Sequence, residues 1–144
     1  MIIKLLPNQI PQYWDYIKYA YTKNNNLLKI DNYKKYLRKL LMDLLSSKAQ
    51  VFIVYDENKN LISILITIII IDKLTQEKTL SIESFILFKF MRNLNGTDEI
   101  EFIKDFARKE NCKQVITKTN RKGFERFFGR LDFEERFREF IIYL

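Results

Sequence analysis

One uninterrupted apolar segment, Leu61 to Ile71, constrains the fold of this 144-residue chain more than any other feature. Its isoleucines favour a β-strand, and it has only about half of the roughly 20 residues that a membrane-spanning helix needs. Polar turns over residues 56–60 and 72–78 flank it, and beyond them lie β-branched and aromatic segments, residues 51–55 and 79–88. These segments predict a three-stranded antiparallel meander that crosses no membrane.

The chain before the meander predicts one strand and two helices. Residues 1–6 are apolar but too short for a signal-peptide core, so we expect a first strand there. Apolar residues then recur with helical spacing over residues 13–21 and again over residues 32–46, where Asp31 is the expected N-cap. The meander is therefore preceded by a strand and two amphipathic helices.

The chain after the meander predicts alternating helices and strands. Apolar residues at helical spacing predict a helix over residues 97–111 that stops at Asn111. A strand is expected over residues 114–119, then a helix over residues 121–130 and a closing strand over residues 137–144. The complete order is β-α-α-β-β-β-α-β-α-β, which defines an α/β (α+β) fold with a mixed sheet.

Length and composition predict a single domain over residues 1–144, because 47% apolar residues are enough to fill one substantial core in a chain of this size. The single cysteine, Cys112, excludes an intrachain disulfide, and we interpret it as a buried structural thiol. Histidine is absent, which removes the commonest zinc ligand and the commonest general base. We therefore expect no metal site, and any proton transfer must use carboxylates, tyrosine, lysine, cysteine or water.

Two short motifs sharpen the meaning of this element order. Residues 107–112, Ala-Arg-Lys-Glu-Asn-Cys, fit the A-[RK]-x-x-[GN]-C pattern that ends the central helix of GNAT N-acetyltransferases. Residues 130–133, Arg-Leu-Asp-Phe, are similar to the K-x-G-F turn after the last helix of that superfamily. The order of elements resembles the superfamily nearly from end to end. The chain thus resembles a divergent GNAT member, which implies the GNAT fold.

The resemblance implies a site for the pyrophosphate of acetyl-CoA in the loop before the central helix. Family members carry a Q/R-x-x-G-x-G/A pattern there, whose backbone N–H groups and adjoining helix dipole bind the phosphates. Counting back from residues 107–112 aligns Gly96 with the final glycine and Leu94 with the first, so one glycine of two is present. The implied cofactor-binding residues are Arg92, Asn93, Leu94, Asn95 and Gly96.

The resemblance also points to two catalytic positions. The family tyrosine that protonates the leaving thiolate aligns with Phe128, whose ring has no proton to donate. A carboxylate on the fourth strand commonly serves as the base for the attacking amine, and Glu83 is the candidate here. The alternative is a solvated strand residue, because simple alternation predicts that Glu83 shares one face with Ser81, Phe85 and Leu87.

Two functions from different classes remain open. The altered loop and the missing tyrosine favour a non-catalytic GNAT-like protein that binds a protein partner or itself, and a phage or virion component suits the composition. Such a protein needs no cofactor. The alternative is an N-acetyltransferase that uses acetyl-CoA through a variant pyrophosphate loop. Either protein is expected in the cytoplasm, or in a virion if it is phage-encoded.

Nucleic acid is a third candidate partner, because the net charge is +7. Basic and aromatic side chains alternate on the second predicted helix and could contact phosphates and stack on bases. These side chains are Tyr33, Lys34, Lys35, Tyr36, Arg38 and Lys39. A solvated helix face explains the same residues, and no recognised nucleic-acid-binding motif accompanies them.

Overall fold

The computed structural model describes residues 1–24, 31–88, 97–118, 129–136 and 140–144. The strands in these ranges are β1 (Ile2–Lys4), β2 (Ala49–Tyr55), β3 (Leu61–Ile71), β4 (Lys78–Leu87) and β5 (Cys112–Thr117). The helices are α1 (Ile10–Asn24), α2 (Tyr33–Leu45) and α3 (Thr97–Lys109), and a 3₁₀ turn at Pro7–Gln9 precedes α1. All five strands lie in one sheet in their chain order. The predicted α/β fold with a mixed sheet is confirmed.

The predicted meander forms the centre of the sheet, and β3 has the predicted bounds. The first four strands pair antiparallel with their neighbours, whereas β5 joins the edge of β4 in parallel after the crossover through α3. Asp56 closes the turn between β2 and β3, because its Oδ1 accepts the backbone N–H groups of Asn58 at 2.9 Å and Asn60 at 2.8 Å. The polar turn predicted from the sequence therefore has an identifiable hydrogen-bonding cause.

The sheet separates two apolar clusters. The first lies under α1 and α2, and its fully buried members include Ile17, Val51, Ile53, Ile64 and Ile66. The second lies under α3, where apolar residues of the helix pack on the sheet. Its buried members are Phe52, Leu80, Ile100, Ile103, Ala107 and Leu131. Each fully buried isoleucine stabilises the fold by about 1.5–3 kcal/mol relative to an exposed one. Both helical layers are therefore held to the sheet mainly by apolar burial.

Left-handed asparagines mark two helix boundaries. The predicted cap of α2 by Asp31 is wrong, because the N-cap is Asn32 with φ 61° and no side-chain capping hydrogen bond. The Asn32 carbonyl accepts the N–H of Lys35 at 2.9 Å, and asparagine tolerates this backbone conformation better than most residues. Asn111 stops α3 as predicted, with φ 60° and its N–H donated to the Arg108 carbonyl at 3.0 Å.

The last two predicted elements are described only in part. Of the helix predicted over residues 121–130, Gly129 and Arg130 are helical, and residues 121–128 lie outside the described ranges. The closing strand predicted over residues 137–144 is not formed by residues 140–144, which are exposed; residues 137–139 are not described. A strand needs a neighbour for its backbone groups, and residues 140–144 pair with neither described edge strand, β1 or β5.

Candidate functional site

Glu83, the candidate base, is the extra residue of a β-bulge in β4. Ser84 lies opposite Ile66 of β3, and Ile82 lies opposite the next residue, Thr67, so Glu83 has no residue opposite it. The side chain of Glu83 is exposed. A bulge bends its strand and redirects a side chain, and such bulges recur next to active sites. The local geometry therefore distinguishes Glu83 from the rest of β4.

The bulge overturns the alternation that we predicted along β4. Ser81 lies opposite Ile68 on the face covered by α1 and α2, whereas Phe85 lies on the opposite face, which α3 covers. The expectation that Glu83 shares one face with Ser81, Phe85 and Leu87 is therefore wrong. An inserted residue reverses the order of faces, and alternating hydrophobicity alone cannot reveal it.

The bulge also marks the end of the parallel ladder between β4 and β5. The last pair of that ladder joins Ile82 to Thr117. Beyond Ile82, β4 continues along β3 as far as Leu87, and the ladder with the described residues of β5 does not extend along this second half. Glu83 thus lies at the point of the sheet where β4 leaves its parallel neighbour.

Tyr21 of α1 lies near Glu83, and its part in this site was not predicted. Burial raises the pKa of the Tyr21 phenol above its usual value of 10.0, and the negative charges of Glu83 and Asp43, followed by Tyr36, raise it further. The Asp43 carboxylate also accepts a hydrogen bond of 2.9 Å from Lys39. The Tyr21 hydroxyl is therefore favoured in its protonated form, in part by the charge of the exposed carboxylate on the bulge.

The sequence carried one signal that could have identified Tyr21. Tyr21 lies in the apolar stripe of α1, and a phenol in a buried stripe needs a polar partner for its hydroxyl. Helical spacing places Tyr21 in the stripe without giving this phenol a role. Its position next to Glu83 depends on the packing of α1 on β4, which helical periodicity does not specify.

The predicted pyrophosphate loop, residues 92–96, lies outside the described residues, and so does Phe128. Their roles stay predictions. The helix that follows the loop, α3, carries Asp98 and Glu99 in its first turn. Carboxylates there stabilise the helix through its dipole, but they repel a phosphate that approaches the same end. This charge is a second departure from a simple phosphate site, beyond the replacement of a glycine by Leu94.

The described ranges contain neither a candidate metal site nor a helix that could cross a membrane. No group of three or more His, Cys, Asp and Glu side chains in these ranges could hold a metal ion. No described helix combines the length and the apolar character needed to cross a bilayer. Cys112 is half-buried against the cluster under α3, and burial raises the pKa of its thiol, as expected of a packing residue.

Comparison with known proteins finds no matching family model and no matching curated protein. Solved structures do match. A ribosomal-protein-alanine N-acetyltransferase from Brucella melitensis biovar Abortus 2308 is 12% identical, with a TM-score of 0.67 over 100% of this chain and 99% of that one. An aminoglycoside acetyltransferase from an uncultured soil metagenomic sample, in complex with sisomicin, is 18% identical, with a TM-score of 0.69 over 100% and 95%.

A GNAT family acetyltransferase from Staphylococcus aureus is also similar in structure. It is 16% identical, with a TM-score of 0.64 over 99% of this chain and 98% of that one. At such low identities the similarity establishes the fold alone. The chain has the GNAT acetyltransferase fold, and the resemblance first indicated by element order and two short motifs is confirmed at this level.

Proposed function

We propose that the protein is an N-acetyltransferase that transfers the acetyl group of acetyl-CoA to an amine. The observation that carries this proposal is the coincidence of three features at one point of β4. The parallel ladder with β5 ends at Ile82, the strand bulges at Glu83, and a protonated phenol, Tyr21, lies near the exposed carboxylate. A bulged strand beside the end of a parallel ladder is a suitable place for a thioester to lie.

The reaction needs an acyl donor held in place and a base near the attacking nitrogen. In this proposal the donor lies along residues 83–87 of β4, and the amine approaches from the α1 side, near Tyr21. The Glu83 carboxylate takes a proton from the amine, directly or through water. The nitrogen bonds to the acetyl carbonyl carbon, the carbon–sulfur bond breaks, and the released thiolate takes a proton from solvent.

A non-catalytic GNAT-like protein is the second candidate, and one observation favours it. Asp98 and Glu99 place two negative charges at the helix end where the resemblance locates a pyrophosphate. Such a protein would keep the scaffold and bind a protein partner or a second copy of itself. In that case Glu83 is a solvated residue of a bulged strand.

Acetyl-CoA titration followed by thermal unfolding separates the two candidates. A ligand that binds the folded state alone raises the melting temperature with its concentration, and we expect such a rise at millimolar acetyl-CoA. The double variant Asp98→Asn, Glu99→Gln should show a larger rise, because it removes the charges that oppose the phosphates. Glu101→Gln, one helical position beyond the first turn, is the matched control.

The absence of a rise in both the natural chain and the Asp98→Asn, Glu99→Gln variant would rule out the acetyltransferase proposal. The second candidate would then require its own evidence, namely a homo-oligomer by light scattering. An inert monomer would count against it.

A further inference from the structure

A groove of about 480 Å³ is lined by residues of α1 and α2. We call it the α1–α2 groove. Its lining combines the apolar side chains of Leu37 and Leu41 with aromatic and cationic ones, namely Trp14, Lys18, Tyr19, Tyr33, Lys34 and Arg38. The volume lies within the range of pockets that hold small organic ligands. It is distinct from the site at Glu83, which shares none of these residues.

The spacing of the lining residues follows from helix geometry. Trp14 and Lys18 lie one turn apart on α1, and Lys34 and Arg38 lie one turn apart on α2, so members of each pair are about 6 Å apart along the axis. Along the groove, α2 therefore presents two cations one turn apart, and α1 presents one cation, Lys18. The sequence predicted the contribution of α2 to a basic surface but missed that of α1, because the groove exists only when the two helices pack together.

The charge of the α1–α2 groove has one sign. Its described lining residues include three cations and no carboxylate. Lys18 is paired with Asp15 at 3.1 Å, but the Asp15 side chain is 93% exposed, so this surface pair is weak. Within the described ranges, neither Lys34 nor Arg38 forms an ion pair. A groove whose described lining carries cations and no carboxylate attracts an anion.

Aromatic rings give the groove a second property. Trp14 and Tyr33 of the lining are half-buried, and Tyr19 is 48% exposed. Lys23 adds a further cation beside Tyr19, where its Nζ donates a hydrogen bond of 3.0 Å to the Tyr19 hydroxyl. Rings interleaved with cations suit a ligand that alternates planar groups with negative charges.

We propose that the α1–α2 groove binds single-stranded nucleic acid. Unpaired bases stack on aromatic side chains, and the phosphates between them bind Lys or Arg, so both properties of the groove are used by one ligand. A duplex fits less well, because its bases are already stacked. An acidic peptide would use the cations but leave the rings without a planar partner. This site goes beyond the acetyltransferase proposal and does not depend on it.

The chain contains one tryptophan, Trp14, which provides a direct reporter of the groove. Titration with oligo(dT) of about ten nucleotides should quench Trp14 fluorescence and raise the anisotropy of a labelled oligonucleotide with the same dissociation constant. Heparin and polyglutamate are the comparison probes, because they supply negative charge without bases. Both should bind at least tenfold more weakly and leave the fluorescence of Trp14 unchanged.

Two classes of variant separate stacking from charge. Combining Lys34→Gln with Arg38→Gln should reduce the slope of log affinity against log salt by about 1.4, since each phosphate contact on a single strand contributes about 0.7. Tyr33→Ala should weaken binding about tenfold while leaving that slope unchanged. Lys73→Gln, an exposed cation in the connection between β3 and β4, is the matched control and should alter neither quantity.

Three results would overturn the proposal: anisotropy without quenching of Trp14, equal binding of heparin or polyglutamate, or an equal loss in the Lys73→Gln control. Circular dichroism of each variant shows whether it is folded, and Lys34 and Arg38 are exposed, so their substitution should leave the fold intact. This proposal and the acetyltransferase proposal fail separately, because the groove variants should keep the thermal shift with acetyl-CoA.

Discussion

The Ser84 hydroxyl donates a hydrogen bond of 3.1 Å to the carbonyl oxygen of Ala20, and both residues are buried. The bond joins α1 to β4 at adjacent points of the candidate site, because Ala20 precedes Tyr21 and Ser84 follows Glu83. It therefore joins the backbone next to Tyr21 to the strand next to the bulge. The bulge itself makes the bond possible, since it changes which residues of β4 face α1.

Ser84→Ala should lower the free energy of unfolding by about 1 kcal/mol, because it removes the side-chain donor of one buried hydrogen bond. In a chain of this length the melting temperature should fall by about 2–4 °C. Ser81→Ala is the matched control, since Ser81 is a buried serine of the same strand for which no side-chain hydrogen bond to a described residue is seen. Equal losses in the two variants would show that the bond to Ala20 contributes nothing specific.

Glu83→Gln should reduce turnover about 10²-fold or more if Glu83 is the base, because the amide cannot accept the proton of the amine. The thermal shift with acetyl-CoA should stay unchanged, since the carboxylate acts on the acceptor and not on the donor. Glu57→Gln, in the exposed turn between β2 and β3, is the control for the loss of one negative charge. Full activity in Glu83→Gln would remove Glu83 from the mechanism.

Much of the fold could be predicted from local patterns. The bounds of β3 follow from one apolar segment between two polar turns, and Asn111 follows from the preference of asparagine for left-handed backbone at a helix end. The bulge could not be predicted, because it depends on how β4 is paired with β3 and not on the composition of β4 alone. The residues around Glu83 were therefore assigned to the wrong faces.

The candidate sites likewise combine residues that could be identified from the sequence with residues that could not. Glu83 was identified through the family resemblance, but Tyr21 comes from a helix that is more than 60 residues away in the chain, since the bond from Ser84 to Ala20 spans 64 residues. The α1–α2 groove likewise combines side chains of two helices, of which only the α2 members formed a recognisable basic segment. Residue spacing within one element does not predict the contacts between elements, and both candidate sites depend on such contacts.

The raised pKa of Tyr21 predicts a loss of stability at alkaline pH. Below pH 10.0, the ordinary pKa of the phenol, the folded and unfolded chains both hold the proton. The contribution of the Tyr21 phenol to the free energy of unfolding is therefore fully present there. As the pH rises through the folded pKa, the contribution is lost, because the unfolded chain releases a proton that the folded chain retains. Burial and the hydrogen bond between the Tyr55 and Tyr13 hydroxyls raise the pKa of Tyr55 in the same direction.

Tyr21→Phe should therefore reduce the alkaline decline in the free energy of unfolding, by at most about 1.4 kcal/mol per pH unit. Urea denaturation at pH about 9 and about 11 measures the change. Tyr143→Phe removes the same hydroxyl from an exposed residue near the end of the chain and is the matched control. An unchanged decline in Tyr21→Phe would mean that Tyr21 ionises equally in both states.

Asp132 occupies the position of the glycine in the K-x-G-F turn, and its φ of 63° lies in the left-handed region that glycine adopts without cost. The backbone of this turn thus has a conformation that suits glycine, although the residue here is aspartate. We expect Asp132→Gly to be within about 0.5 kcal/mol of the natural chain, whereas Asp132→Ala should be less stable by about 1 kcal/mol. Chemical denaturation of the pair measures the difference.

Substitutions at Glu134 are the control for those at Asp132. They test whether glycine is more stable than alanine at Asp132 because of the left-handed backbone or because of the general properties of glycine and alanine. Glu134 is also exposed, but it is not among the described residues with positive φ. Glycine adds conformational entropy to the unfolded chain, so Glu134→Gly should be no more stable than Glu134→Ala. The stability order of glycine and alanine should therefore reverse between the two positions. The same order at both would mean that the left-handed conformation of Asp132 does not determine the stability of the turn.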